Sequence, residues 1–170
     1  HFMSKPLTTQ EEEFQKIEDR QKLIKKYGGK NIEIRTTDDI QLAGLLFYRE
    51  NARYNLLVCH GWWMGKEDLK KLIRLFQDAN ILLFDFRGHG QSGDEFTSIG
   101  CYERQDVIAA FNYLRNDPQA KGLPIYGLGY SMGAASLLGA AAQGVPFTAI
   151  ILDSMFGNLA DVIKGTFKYQ

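Results

Sequence analysis

The chain has 170 residues, 45% of them hydrophobic and 24% charged, and its 20 basic and 20 acidic side chains leave no formal net charge. A chain of that size buries one sizeable core. Zero net charge gives no support for a nucleic-acid partner, which ordinarily shows as a basic patch, and no apolar run approaches the roughly 20 residues of a membrane span.

His1-Phe2-Met3 reads as a remnant of an expression vector, so removal of a native leader or anchor is left open. The expected location is cytoplasmic, with membrane association of the native N-terminus left open. Residues 4–30 read as an N-terminal amphipathic helix segment and residues 31–170 as the domain proper. Thr9 with Glu12 has the form of a capping box. Glu11, Glu12 and Glu13 open the helix and Lys25 and Lys26 close it, both favourable to the helix dipole. Gly28-Gly29 stops it. Phe14, Ile17, Ile24 and Tyr27 fall on one stripe at helical spacing, expected to dock on the domain.

From Asn31 the period changes to two. Ile32, Ile34 and Thr36 alternate with Glu33 and Arg35, Asp38-Asp39 turns the chain, and Leu42 to Tyr48 returns it. Short apolar runs then alternate with helical stretches. Strands are expected at Leu56–Cys59, Ile81–Phe84, Ile125–Leu128 and Ala149–Leu152. Helices are expected at Glu67–Asp78, Tyr102–Arg115 and Met132–Gln143. Such alternation predicts an α/β class domain, a mostly parallel sheet covered on both faces, with an antiparallel N-terminal hairpin. Cys59 and Cys101 are too few and too far apart for a disulfide framework or a zinc cluster, and both are expected to be free structural thiols. No cofactor or metal is expected.

Gly129-Tyr130-Ser131-Met132-Gly133 matches Gly-x-Ser-x-Gly, with an apolar strand running in and an Ala-rich helix running out. That is the setting of a nucleophile elbow: glycines permit the sharp turn, and the serine hydroxyl is pushed above the sheet edge beside a helix N-terminus. Gly88-His89-Gly90-Gln91-Ser92-Gly93 is a literal Gly-x-Gly-x-x-Gly, but no helix opens on its third glycine, so a dinucleotide site is not expected.

Together with Cys59-His60-Gly61-Trp62, Phe84-Asp85-Phe86-Arg87-Gly88-His89-Gly90-Gln91-Ser92 and Leu152-Asp153-Ser154, the elbow resembles the α/β-hydrolase superfamily. The branch resembled holds serine aminopeptidases, prolyl-oligopeptidase-type domains and small esterases, and the likeness runs from about Ile40 to Asn158. It implies a three-layer α/β/α hydrolase fold with Ser131 as nucleophile of an acyl-enzyme route. The backbone N–H groups of Trp62 and Met132 are the implied oxyanion donors, and Asp85 and Arg87 the braces of their loop. His60 is implied to hold its turn rather than act as base. Asp153 is the weaker candidate acid, since this branch usually takes its acid after the next strand; Asp161 is weaker still. Trp62, Trp63, Met64, Tyr130 and Met155 could line an apolar pocket.

The triad order of this fold is serine, acid, histidine, yet no histidine follows Ser131. The 170 residues are therefore expected to be an incomplete hydrolase domain, lacking C-terminal strands and nearly inactive alone. Ala149–Leu152 reads as a strand buried on both faces, whose open edge would invite self-association. The expected substrate is a small-molecule or peptide acyl compound, in carboxylesterase, thioesterase or peptidase chemistry. A non-catalytic binding protein of the same fold and an acyltransferase are the alternatives.

Overall fold

The computed structural model describes residues 3–4, 9–94 and 96–158. Helix α1 (Gln10–Tyr27) begins at the expected capping box: Thr9 N–H donates to Glu12 Oε2 at 2.8 Å and Glu12 N–H to Thr9 Oγ1 at 3.2 Å. It ends on Gly28 at φ +71°, whose N–H returns to the Ile24 carbonyl at 2.9 Å. The expected stripe holds only in the second half. Leu23 is buried, with Ile24 and Tyr27 partly so, whereas Phe14 and Ile17 are 64% and 39% exposed. Up to the middle of the helix, polar loops lie beneath it, and there Arg20 pairs with Glu67 at 3.4 Å and Asp19 with Lys70 at 2.5 Å.

The sheet has six strands: β1 (Gly29–Arg35), β2 (Gln41–Phe47), β3 (Tyr54–Cys59), β4 (Ala79–Phe84), β5 (Ile125–Tyr130) and β6 (Ala149–Asp153). Their order is β1-β2-β4-β3-β5-β6. β2 runs antiparallel to both β1 and β4; β3 is parallel to β4 and β5, and β5 to β6. This is the expected mostly parallel sheet with an antiparallel hairpin at one edge. Its chain direction reverses across β3, so the carboxyl ends of β3 and β5 flank a topological switch point, where open α/β sheets place their ligands. Met3–Ser4 form a separate antiparallel ladder with Phe96–Thr97.

Period-two alternation divides the core. Leu42, Leu46, Leu57, Cys59, Leu82 and Phe84 face helices α3 (Glu103–Asn116) and α4 (Met132–Ala142) through Val107, Ala110, Phe111, Leu114, Met132 and Leu137. Leu45, Phe47, Leu56, Val58, Ile81 and Leu83 face the other way, toward Leu23, Leu69 and Ile73.

The expected helix Glu67–Asp78 is instead a 3-10 turn, Lys66–Leu69, followed by the five-residue helix α2 (Lys71–Leu75). Asp85 accepts the otherwise unpaired Lys66 N–H and Gly65 N–H bonds Asp68 Oδ2 at 2.7 Å, capping the 3-10 turn. Phe76 then leaves helical geometry at φ −102°, ψ 85°. β6 also departs from expectation. Ile150 and Leu152 are half-buried, but Ala149 and Ile151 are exposed, Ile151 by 57%. Among the described residues nothing covers their face.

Arg87 joins the hairpin to α3. Its Nε and Nη2 donate to Asp106 Oδ1 at 2.9 and 2.6 Å, its backbone N–H donates to Asp106 Oδ2 at 2.9 Å, and its fork also grips Asp38. Burial pushes the Asp106 carboxyl up to about 6 against the pull of Arg87, whereas Arg87 holds the more exposed Asp38 down at about 2. Removing Asp106 leaves a buried guanidinium short of its partner. Urea titration of Asp106→Ala at neutral pH should show a loss of about 3–5 kcal/mol, and a loss under about 1 kcal/mol would show that Asp38 alone satisfies Arg87.

Candidate active site

Ser131 caps α4 at the carboxyl end of β5, with φ +48° and ψ −111°. A non-glycine residue takes such a conformation only when its surroundings impose it. The two glycines show how. A Cβ on Gly133 would stand 2.3 Å from the Cys59 carbonyl oxygen and 2.6 Å from that of His60. One on Gly129 would stand 2.7 Å from Ala134 Cα. β5 and α4 thus cross with no side chain between them, and the end of β3 abuts the first turn of α4. Ser131 N–H is tied to the Asp153 carbonyl at 2.9 Å, and the helical ladder begins with Ala135 N–H on the Ser131 carbonyl at 3.1 Å. The Ser131 side chain makes no cap hydrogen bond, and the residue is half-buried.

The turn after β3 lies against it. A Cβ on Gly61 would be 3.6 Å from Ser131 Cβ and 3.5 Å from the Tyr130 carbonyl oxygen. Trp62, next in the chain, packs against Trp63 with centroids 4.6 Å apart and ring planes tilted by 42°. Met132 is the first residue of α4, ahead of the intrahelical ladder. Met132 thus directly follows Ser131, and the turn that carries Trp62 approaches Ser131 through Gly61. Met64 and Tyr130 pack on one side of the sheet and Trp62 on the other. Trp63 and Met155 are exposed by 66% and 41%.

His60 is wholly buried. Its Nε2 accepts the Phe86 N–H at 3.0 Å, so Nδ1 carries the proton and donates to the Gly61 carbonyl at 2.7 Å. Both ring nitrogens are spent on the loop, as expected of a turn-holding residue. Burial, with His89 nearby, lowers its pKa to about 4. His89 is buried as well, its Nδ1 against the Arg87 carbonyl at 2.9 Å. Among the described residues no hydrogen bond joins either imidazole to Ser131. Asp153 is exposed at the end of β6, and its carboxylate accepts the Ser154 hydroxyl at 2.8 Å. Asp161 lies outside the described residues.

The loop from Asp85 to Ser92 turns without opening a helix: Gly88 N–H closes on the Gly93 carbonyl at 3.0 Å. Asp85 braces it through Gln91 N–H at 3.0 Å, and Ser92 Oγ donates to the Asp85 carbonyl at 2.6 Å. Two fully buried acids escaped the sequence reading. Glu103 accepts Thr97 Oγ1, Ser98 N–H, Ser98 Oγ and Gly100 N–H at 2.6–2.7 Å. These bonds hold its carboxyl below the usual range although burial pushes it up. Asp106 is the other. Both lie on the Val107–Ala110–Leu114 face of α3, where an acid among apolar positions was the available signal. The two thiols also differ: Cys59 is buried and burial raises its pKa, whereas Cys101 is exposed.

A strained serine between a parallel strand and a helix, at the switch point of this sheet order, defines the α/β-hydrolase class of fold. A sequence model described as the alpha/beta hydrolase family matches residues 56–167, and the chain belongs to that family. It is 40% identical over 86 residues to YqkD of Bacillus subtilis, covering 49% of this chain and 28% of that protein. It is 27% identical over 145 residues to protein bem46 of Schizosaccharomyces pombe, covering 81% of this chain and 48% of that one. The esterase Pf2001 of Pyrococcus furiosus superposes with a TM-score of 0.77 at 25% identity, over 88% of this chain and 60% of that chain. The chain thus spans less than half the length of the two sequence relatives.

Two outcomes follow from this geometry. Gly133→Ala places a Cβ against two carbonyl oxygens that belong to the sheet, and should cost about 3 kcal/mol or more; an unchanged urea midpoint would contradict the crossing. His60 is the acid-sensitive element. Its folded pKa lies below the unfolded value near 6.5, so the unfolded chain binds the proton first. The stability it protects is complete above about pH 6.5 and is lost as pH falls toward 4, by about 3 kcal/mol at most. His60→Gln, which keeps an acceptor and a donor, should flatten the pH dependence of the urea midpoint in that window relative to the native chain.

Proposed function

We propose that this domain is a serine hydrolase of esters, thioesters or amides, with Ser131 as its nucleophile. The observation that supports it most is the backbone of Ser131 at φ +48° on a turn that both neighbouring glycines make possible. Likeness to an esterase from Pyrococcus furiosus supports the same chemistry. In this reading Ser131 Oγ attacks the acyl carbon and gives its proton to an imidazole. The carbonyl oxygen becomes an oxyanion, received by the N–H groups of Trp62 and Met132 at the positive end of α4. Collapse expels the alcohol, thiol or amine, which takes the proton, and water then hydrolyses the acyl-serine. Neither His60 nor His89 is free to be that imidazole on its loop, and none follows Ser131 in the sequence. The reading therefore takes the base from outside these 170 residues, and an acid other than Asp153 with it.

The lack of an imidazole at Ser131 favours one rival, a hydrolase-fold protein that binds without turnover. A fluorophosphonate probe applied to the intact protein separates the two. Labelling that disappears in Ser131→Ala, together with a fall in ester turnover of about 10⁴-fold or more, is the expected result. Absence of labelling in a folded wild-type protein would favour the binding reading.

A further inference from the structure

The turn between β3 and the 3-10 segment is fastened at both ends to one dipeptide, Asp85-Phe86. At its start His60 Nε2 accepts the Phe86 N–H at 3.0 Å. At its end Asp85 holds Lys66 twice: Oδ1 accepts the Lys66 N–H at 2.9 Å and Oδ2 accepts the ammonium at 2.5 Å. Gly61, Trp62, Trp63, Met64 and Gly65 lie between, with Met64 N–H closing on the Gly61 carbonyl at 3.2 Å. Lys66 is 1% exposed and Asp85 fully buried.

A lysine taken wholly out of water needs a charged partner, and an apolar side chain would fill the same space at lower cost in desolvation. Burial pushes the Asp85 carboxyl up, and Lys66, His60 and the Gln91 N–H together bring it below the usual range. Space around it is shaped to match. A Cβ on Gly90 would stand 2.1 Å from Asp85 Oδ2, and one on Gly65 3.3 Å from Oδ1. Outside, α1 covers the pair: Arg20 reaches Glu67 and Gln91, and a cavity of about 150 Å³ separates the helix from Lys66 and Asp85.

We propose that Lys66 and Asp85 are positioning residues, a buried ionic clamp that fixes the Trp62 N–H against the Ser131 hydroxyl. This rests on the serine-hydrolase reading above. His60 alone would leave a turn free to pivot on one end; the second anchor removes that freedom. An oxyanion donor works only within about 2.7–3.1 Å of the developing charge, and a misplacement of about 1 Å costs on the order of 10²-fold in rate.

Trp62 and Trp63 are the only tryptophans in the 170 residues, so their emission reports on this turn directly. In Lys66→Met we expect the acrylamide quenching constant to rise at least twofold. In the intact protein, which carries the base, the kcat for p-nitrophenyl acetate should fall at least tenfold, with KM within twofold of wild type. Asp85→Asn, which keeps an acceptor for the Lys66 N–H but loses the charge and the acceptor for the ammonium and the Gln91 N–H, should move both readouts in the same direction, and it decides the matter if Lys66→Met does not fold. A folded variant with quenching unchanged, or with quenching raised and kcat unchanged, overturns the proposal. If the intact wild-type protein, with the base that lies outside these 170 residues, shows no Ser131-dependent turnover, the hydrolase reading fails, and quenching alone then decides whether the turn is clamped.

Discussion

The carboxyl end of this sheet depends on one close approach, the first turn of α4 against the last carbonyls of β3. The gap there is smaller than a methyl group: a Cβ on Gly133 would meet the Cys59 oxygen at 2.3 Å. Because residue 133 has no side chain, a helix that grows out of β5 can also lie over the end of β3. The same approach brings Gly61 to Ser131. A sequence choice of one hydrogen atom thereby sets the helix position, the helix position sets where its free N–H groups point, and those groups are what a developing negative charge would meet.

The loops around that crossing are held by ionic and hydrogen-bonded anchors more than by apolar packing. Asp85 with Lys66, Asp106 with Arg87, and Glu103 with Thr97 and Ser98 are all buried. Each acid joins a loop at the carboxyl end of the sheet either to its own base or to another element. Such pairs add little net stability over apolar substitutes, because desolvation consumes most of the attraction. What they add is direction. An apolar contact tolerates a shift of a few tenths of an ångström, whereas the Arg87 fork on Asp106 loses several bonds at once.

The same distinction explains what the sequence disclosed. Strand positions were legible because Leu56 to Cys59 and Ile81 to Phe84 are short apolar runs between turn residues, and the elbow because its two glycines have a steric reason to be there. The α1 start was legible from Thr9 and Glu12, a purely local device. The misread features depend on partners distant in sequence. Glu67 to Asp78 has helical spacing, but Asp85, 19 residues beyond Lys66, fixes the start of a 3-10 turn there instead. Phe14 and Ile17 fit the α1 stripe, but polar loops lie beneath that half of the helix. The apolar run of β6 carries no record of what covers it, and Ile151 is exposed here. At the site, Ser131, Gly61 and Trp62 were found by motif. Lys66 was invisible, since a lysine in a polar loop gives no sign of burial.

Backbone strain gathers at the same end of the molecule. Among the described residues six non-glycine positions have positive φ: Asp39, Trp63, Asp94, Ile99, Ser131 and Ser154. Asp39 sits in the β1–β2 turn, where an aspartate is tolerated. The other five follow the carboxyl ends of β3, β4, β5 and β6, and they include a tryptophan and a β-branched isoleucine, residue types for which this region is costly. Each position costs on the order of 1–3 kcal/mol and persists only where neighbours over-determine it. Those neighbours are visible: Met64 N–H on Gly61 across Trp63, Ile99 N–H on Thr97 Oγ1 at 3.2 Å, and Ser131 N–H on the Asp153 carbonyl. A relaxed chain would let these loops spread and carry the Ser131 hydroxyl, the Trp62 N–H and the start of α4 apart. In the serine hydrolase proposed above, holding these loops under strain would leave little reorganisation for the step in which charge develops.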